Sequence, residues 1–249
     1  MEDIVQELRK HINGEVRFDR YSRILYSTDA SIYEIEPLGV VIPKTAEDVQ
    51  ATVELADNHG IPIVPRGGGT SLVGQSIGAG IVIDFSKYMH QVLEVNAEEK
   101  WARIQPGVVL DQLNTHIRNF NLFFGPDTAT SSRANLGGLI GNNSSGARSI
   151  YYGKTINHVL ELKVLLANGE EAVLKPLDEK ALTTKVKEPG LQGSVYRAVR
   201  ETATANKDEI DKRYPKILRR VGGYNLDEFV NDQPFNLAKM IVGSEGTLA

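Results

Sequence analysis

The run Pro65-Arg66-Gly67-Gly68-Gly69-Thr70-Ser71 brings together the residue types that an anion site needs. Successive glycines carry no Cβ, so several backbone N–H groups can converge on one anion without steric conflict, as in the nests that hold phosphates. Arg66 adds positive charge, and Thr70 and Ser71 add hydroxyl donors. The ligand these residues suit is a pyrophosphate. A glycine-rich turn without a ligand is the plain alternative, because a short motif alone has a real false-positive rate. The apolar run before the loop and a second glycine set at Gly74, Gly78 and Gly80 favour binding. The spacing is not that of a P-loop, and no G-x-G-x-x-G opens a helix, so neither of those nucleotide motifs applies.

Other chemistry is less well supported. The stretch from Gly125 to Gly153 is dense in Gly, Ser, Asn and Thr around an apolar Leu136 to Ile140. That is too long for an idle loop in a compact domain, and loops of such length are usually functional. Its serines include no G-x-S-x-G elbow, so a hydrolase reading has little support. His11, His59, His90, His116 and His158 lack H-x-x-H or H-E-x-x-H spacing, so no metal ligand is assigned. His158 reads as structural, Glu34 and Glu36 as a solvated stretch before Pro37, and Trp101 as a packing residue. Lys212-Arg213 and Arg219-Arg220 read as exposed basic spots. No catalytic residue is assigned.

The elements that must position the glycine loop are legible around it. Glu2 to His11 has helical spacing, with Ile4, Leu8 and Ile12 together. Leu38 to Ile42 reads as a buried strand. Thr45 followed by Asp48 reads as a helix start, with the helix running to about His59 and closing at Gly60. Ile61 to Val64 and Gly80 to Phe85 read as further strands on either side of the loop, which makes a small α/β unit. Gln91 to Val95 and Trp101 to Gln105 alternate as antiparallel strands, and Val108 to Phe120 has helical spacing. Val159 to Leu166 and Glu171 to Leu174 flank Asn168-Gly169, the signature of a hairpin with a type I′ turn. Tyr196 to Thr204 reads as helix and Lys239 to Val242 as a strand-like run.

With 249 residues, 41% hydrophobic and 24% charged, the chain has the ordinary mix of a soluble globular protein. A net charge of -4 gives no attraction to a polyanion, so nucleic acid is not an expected partner. The absence of cysteine excludes disulfides, thiolate zinc sites and iron–sulfur ligation within these residues. Met1-Glu2-Asp3 does not open a secretory signal, and no apolar run approaches the roughly 20 residues of a transmembrane helix. A cytoplasmic location is the default, with peripheral attachment to the inner membrane left open for a longer protein. The final Gly243-Ser244-Glu245-Gly246-Thr247-Leu248-Ala249 has no closing element and is read as a cut within a longer chain.

Taken in order, these segments resemble the FAD-linked oxidase superfamily, with its vanillyl-alcohol-oxidase or p-cresol-methylhydroxylase type of FAD domain. The glycine loop is similar to that family's phosphate loop. Pro126 to Ser132, Leu136-Gly137-Gly138 and Asn142-Asn143-Ser144-Ser145-Gly146 are similar to its flavin-flanking segment. Tyr152-Gly153-Lys154-Thr155 with His158-Val159-Leu160 resembles the portion that receives adenine, and Gly243 to Leu248 the segment that closes the domain. The resemblance is nearest to the branch acting on D-2-hydroxy acids such as D-lactate, glycolate or D-2-hydroxyglutarate. Ser149 to Thr155 and Arg219 to Leu226 are similar to its long members, which fuse an FAD half to an iron–sulfur half.

The resemblance implies an α+β fold of two FAD-binding subdomains, a small α/β one over 38–93 and a larger, mainly antiparallel one over 94–249, after a lead-in over 1–37. It implies that Arg66, Gly67, Gly68, Gly69, Thr70 and Ser71 hold the pyrophosphate. Pro126, Asp127, Thr130 and Ser131 would line the ribityl chain and isoalloxazine, and Gly137 and Gly138 would let backbone approach the cofactor. Asn143, Ser145 and Gly146 would complete that wall, Val159 would present its backbone to adenine, and Glu245 would lie in the closing segment. Thr70 stands where relatives with covalent FAD carry His, which implies a non-covalent cofactor. Ser145 stands where the family has glycine, which leaves its contact open. A 4Fe-4S cluster, the substrate-binding residues and the catalytic base would lie after Ala249, and the electron acceptor is not assigned. The related readings are the FAD domain of a UDP-sugar enolpyruvate reductase or of a molybdenum hydroxylase. From another class, a non-catalytic nucleotide-binding module is the alternative.

Overall fold

The computed structural model describes residues 2–249, and Met1 of the N-terminal reading lies outside them. The chain divides into two compact units, residues 1–139 and 140–249. Helices and strands mix in the α+β class, as expected.

The first unit opens with α1 (Glu2–His11), β1 (Glu15–Arg17) and α2 (Arg20–Leu25). β2 (Gly39–Ile42), α3 (Ala46–Asn58), β3 (Ile63–Arg66) and β4 (Ile81–Asp84) follow. The strand order is β1-β2-β4-β3, with β4 parallel to both β2 and β3, and β1 antiparallel on β2. β2 and β4 are buried throughout, which is why they read as unbroken apolar runs rather than alternating ones. Side chains still alternate between faces. Val41 and Ile81 pack with Leu8, Ile12 and Leu55 of the helical side, while Val40, Ile42 and Val82 meet Tyr26, Val64 and Tyr88.

Thr45 caps α3 by accepting from the Asp48 N–H at 3.3 Å, and Gly60 follows the helix at φ +62°. β3 starts later than expected because the Ile61 N–H bonds back to Ala56 O at 2.8 Å, closing the helix. As an edge strand it then tolerates Pro65 and continues to Arg66, which pairs with Asp84.

Glu15 joins this unit electrostatically. Lys87 and then Tyr88 donate to its carboxylate, with Arg17 adding a smaller effect, and its pKa falls from 4.5 to about 2. A depressed carboxylate stabilises the fold above its unfolded value, and that contribution is lost as pH falls from 4.5 towards 2. Glu15→Gln should therefore lower stability at neutral pH by up to about 1 kcal/mol, the scale of a largely solvated pair. Urea midpoints of the two proteins should converge at acid pH; a constant gap would contradict this assignment.

After β4 come the antiparallel ribbon β5 (Val92–Asn96) and β6 (Trp101–Ile104), then α4 (Leu110–Ile117), extended by a 3-10 turn over Arg118–Phe120. Trp101 is half-buried and its indole N–H donates to Glu99 at 2.7 Å. The long polar stretch is not all loop. It contains α5 (Leu136–Asn142) and α6 (Ser149–Tyr152), because Leu136 and Leu139 reach the cluster formed by Val108, Leu110, Leu113 and Ile117.

The second unit contains the hairpin β7 (Leu162–Leu165) and β8 (Glu171–Leu174), then α7 (Glu179–Lys185), α8 (Gly190–Ala205), α9 (Lys207–Arg213) and α10 (Ala238–Ile241). The antiparallel strands after residue 93 thus form two separate ribbons, not one sheet. The hairpin is present, but its turn is not type I′. Among the described residues Asn168 has no positive φ; Gly169 alone does, at +83°, and its N–H bonds Leu166 O at 2.9 Å. That is a three-residue connection ending in a left-handed glycine. Lys239 to Val242 is mostly helix rather than strand, since its four apolar or amphipathic residues carry no period of their own. The core of this unit gathers Ile156, Leu174, Leu182, Tyr196, Leu237 and Val242.

Candidate functional site

In the first unit, the glycine loop leaves the end of β3 and lies directly on the segment before α5. A Cβ on Gly67 would stand 2.9 Å from Asn135 Oδ1, and one on Gly68 only 2.4 Å from Arg133 O. One on Gly69, at φ +63°, would stand 2.7 Å from the Arg66 guanidinium. The three glycines are needed because backbone and side chains already fill the space behind them. Thr70 and Ser71 follow them, half-buried.

The Arg66 side chain is engaged by other parts of the chain. Its guanidinium donates to Thr28 O at 2.8 Å and Ser76 O at 3.1 Å and lies over the Tyr26 ring at 5.3 Å. Burial pulls its pKa down from the usual arginine value, while Asp84, Tyr26 and Asp29 favour its charge. The Tyr26 hydroxyl donates to Asp84 Oδ2 at 2.5 Å, and burial together with that carboxylate raises its pKa.

The segment beneath the loop is a chain of turns. Thr130 O accepts from the N–H groups of Arg133 and Ala134, both at 2.8 Å. Ser131 O and Ala134 O accept from Asp111 and Leu110 at the start of α4. Pro126 is buried, Asp127 and Ser131 are half-buried, and Thr130 is exposed. Gly137 donates to Pro106 O at 2.9 Å, and its Cβ would meet Pro106 at 2.8 Å, so close packing with Pro106 accounts for this glycine. Gly138 is exposed and faces open space.

In the second unit, Asn143 is fully buried at φ +49° and its Oδ1 accepts from the Ile156 N–H at 3.1 Å. Ser144 O accepts from the Thr155 N–H at 3.0 Å and its hydroxyl at 2.7 Å, and the Gly146 N–H donates to the buried Ser149 Oγ at 2.9 Å. Ser145 Oγ accepts from the exposed Arg219 guanidinium at 3.2 Å. Glu245, at φ +53°, donates its N–H to Gly141 O at 2.9 Å. His158 meets Tyr152 O at 2.8 Å, a structural contact.

Several residues that hold these segments escaped sequence reading. Lys239 donates to Ile156 O at 2.6 Å and Val159 O at 2.9 Å, clasping the 3-10 turn Thr155–His158 and the residue after it. Asn225 donates to Lys239 O at 3.1 Å and Val242 O at 2.6 Å. Lys154 donates to Arg220 O at 2.7 Å. Arg220 itself is not an exposed basic spot: its guanidinium pairs with Asp227 at 2.6 Å with only 11% of the side chain exposed. The sequence offered one signal for these roles, polar residues embedded in apolar runs.

Among the described residues, the buried side-chain atoms without a partner are Thr128 Oγ1 and Asn135 Oδ1 in the first unit, and Asn143 Nδ2 and Tyr196 Oη in the second. Leaving such a group unpaired costs about 1–3 kcal/mol, so the pair at Thr128 and Asn135 in the first unit is more than packing requires. In the first unit a polar ligand fits these two unpaired atoms, and the glycine cradle fits a pyrophosphate. Among the described residues no group of three or more His, Cys, Asp or Glu could hold a metal, and no helix is long and apolar enough to cross a membrane.

Comparison with known proteins agrees with this geometry. Residues 37–175 match the FAD binding domain family. D-2-hydroxyglutarate dehydrogenase of Pseudomonas putida is 41% identical over 239 residues, which is 94% of this chain and 24% of that protein. The Escherichia coli enzyme of the same name is 37% identical over 99% of this chain and 25% of its own length. Glycolate oxidase subunit GlcD of Bacillus subtilis is 35% identical over 67% of this chain and 36% of that protein. Among solved structures, alkyldihydroxyacetonephosphate synthase superposes with a TM-score of 0.63 at 24% identity, covering 70% of this chain and 38% of that one, a likeness of fold. The chain thus spans about a quarter of the length of the two dehydrogenases.

Proposed function

The chain belongs to the FAD binding domain family, and from that premise we propose that it is the cofactor-holding part of a flavoprotein that oxidises a D-2-hydroxy acid. The observation that carries this reading is the close seating of Gly67 and Gly68 on Asn135 and Arg133, a backbone approach only glycine allows and the kind a pyrophosphate nest needs. The near-complete coverage of this chain by two D-2-hydroxyglutarate dehydrogenases supports that acid as the substrate. Held by Gly67 to Ser71, FAD would supply the hydride acceptor for the carbon bearing the hydroxyl.

The residues of this chain bind and orient. Gly67 to Ser71 receive the pyrophosphate. The turns from Pro126 to Ser131 and the open face at Gly138 lie along the flavin end, and Asn143, Ser145, Gly146, Val159 and Glu245 serve from the second unit. Within this reading residues 38–93 form the small subdomain and 94–249 the larger, substrate contacts come from other parts of the whole protein, and the location is cytoplasmic. Thr70 offers no imidazole for a covalent bond to the flavin, so attachment is non-covalent.

The purified 249-residue chain should carry a flavin absorbance band near the stoichiometry of the protein, and acid precipitation should leave the colour in solution. A colourless chain whose melting temperature FAD does not raise would sink the reading. In the whole protein, anaerobic addition of D-2-hydroxyglutarate should bleach the flavin; bleaching only by NADPH or by a purine would move the protein to another branch of FAD enzymes.

A further inference from the structure

The lead-in from Asp19 to Glu36 precedes the residues that match the family, 37–175. In the structure it is stitched to the glycine loop at successive points. The Ala30 N–H donates to Gly69 O at 3.0 Å. The Ser76 hydroxyl donates to Asp29 Oδ2 at 2.8 Å, while Asp29 Oδ1 accepts from the Ser31 N–H at 2.8 Å and so fixes its own turn. The Tyr33 ring closes over Gly74, where a Cβ would stand 3.1 Å from it at a backbone φ of +83°. Arg66 ties the two together, with Thr28 O on one side and Ser76 O on the other.

The loop has little else to hold its outer half. Leu72 is 75% exposed and Val73 66% exposed, so apolar packing does not fix their backbone. Converging N–H groups depend on the left-handed conformations at Gly69 and Gly74, and both glycines are touched from the lead-in or by Arg66. A loop held in its bound shape before the ligand arrives spares the ordering cost at binding.

We propose that Tyr26 to Tyr33 are part of the cofactor site, as positioning residues that hold Gly69 to Ser76 in the shape that receives the pyrophosphate, with Arg66 clasping the two from beneath instead of acting as a phosphate ligand. The inference rests on the FAD reading above and adds a role for a segment outside the matched family region.

Ser76→Ala removes one tether with a small change in volume, and Arg66→Met removes the clasp. FAD and riboflavin, which lacks phosphate, are titrated into the flavin-free 249-residue chain by fluorescence. Ser76→Ala should weaken FAD by about tenfold and Arg66→Met by about a hundredfold, the scale of one and of two hydrogen bonds involving a charged group, with riboflavin unchanged. Arg66→Lys should recover part of the loss, and hydrogen exchange over Gly69 to Gly74 should accelerate in Ser76→Ala without ligand. Equal weakening of FAD and riboflavin, or unchanged FAD affinity in Ser76→Ala, overturns the inference even if Arg66→Met fails to fold. An unaltered chain that takes up no FAD overturns the proposed function and this inference with it; variants that match an FAD-binding parent overturn this inference alone.

Discussion

Gly68→Ala is expected to lower FAD affinity by about a hundredfold or more, close to 3 kcal/mol. The added methyl would stand 2.4 Å from Arg133 O, and that carbonyl cannot retreat easily. The N–H groups of Arg133 and Ala134 both bond Thr130 O, and Ala134 O receives the Leu110 N–H at the head of α4. The loop must therefore move instead, which spreads the N–H groups that converge on the anion. Gly138→Ala supplies the contrast. Gly138 is exposed, lies inside α5, and has nothing within 4 Å of its would-be Cβ. Alanine should stabilise the flavin-free chain by about 0.5–1 kcal/mol through helix propensity. If the flavin covers that face, the same methyl should still weaken FAD by about tenfold, a modest overpacking penalty. Thermal melts with and without FAD separate the two: a Gly138→Ala protein that is more stable and binds FAD normally would remove the flavin from that face of α5.

Lys239→Met should have the largest effect in the second unit. The ammonium satisfies Ile156 O and Val159 O together, and Asn225 bonds the Lys239 carbonyl. Methionine keeps the length of the stem but leaves both carbonyls without their charged donor, at a cost of about 2–4 kcal/mol. Amides from Thr155 to Leu160 should exchange faster, measured by mass spectrometry, and FAD should bind less tightly. Burial lowers the Lys239 pKa below 10.5, so the unfolded chain binds more protons in the window between the lowered value and 10.5. Stability from this residue therefore rises with pH across that window, and Lys239→Met should remove that part of the slope. Unchanged exchange over Thr155 to Leu160 would show that the clasp does not hold the turn.

The parts of the fold written in local chemistry were legible. Thr45 and Asp48 announce a helix start because one hydroxyl can satisfy one orphan N–H, and Leu38 to Ile42 announces a buried strand because no polar residue interrupts it. The glycine loop announces a close backbone approach for the same local reason, and Gly67 and Gly68 do lie against Asn135 and Arg133. Lys239 to Val242 was misread because a four-residue apolar run fits one turn of helix as well as a strand, and neighbours decide between them. Asn168-Gly169 signalled a hairpin but not its turn, since the extra residues around the tip changed the geometry. Arg219 and Arg220 look alike in sequence, yet one is exposed beside Ser145 and the other is paired with Asp227. Such differences come from how the chain folds back, from Asp227 seven residues on and from Ser145 far upstream. The same holds for Thr128 and Asn135, whose unpaired atoms emerge only when the turns and α5 are folded.

The glycine loop is also the connection between two parallel neighbours, β3 and β4, a position that a helix usually fills. β4 is the shared partner of β2 and β3, which do not pair with each other. Neither strand has its parallel neighbour until residues 81–84 have been synthesised, so the parallel part of the sheet waits for its last strand. The lead-in, by contrast, leaves the ribosome first. When Ile81 docks, the lead-in that touches the loop has been made, but Arg133 and Asn135 beneath Gly67 and Gly68 have not, so the cradle is completed only after the sheet that carries it.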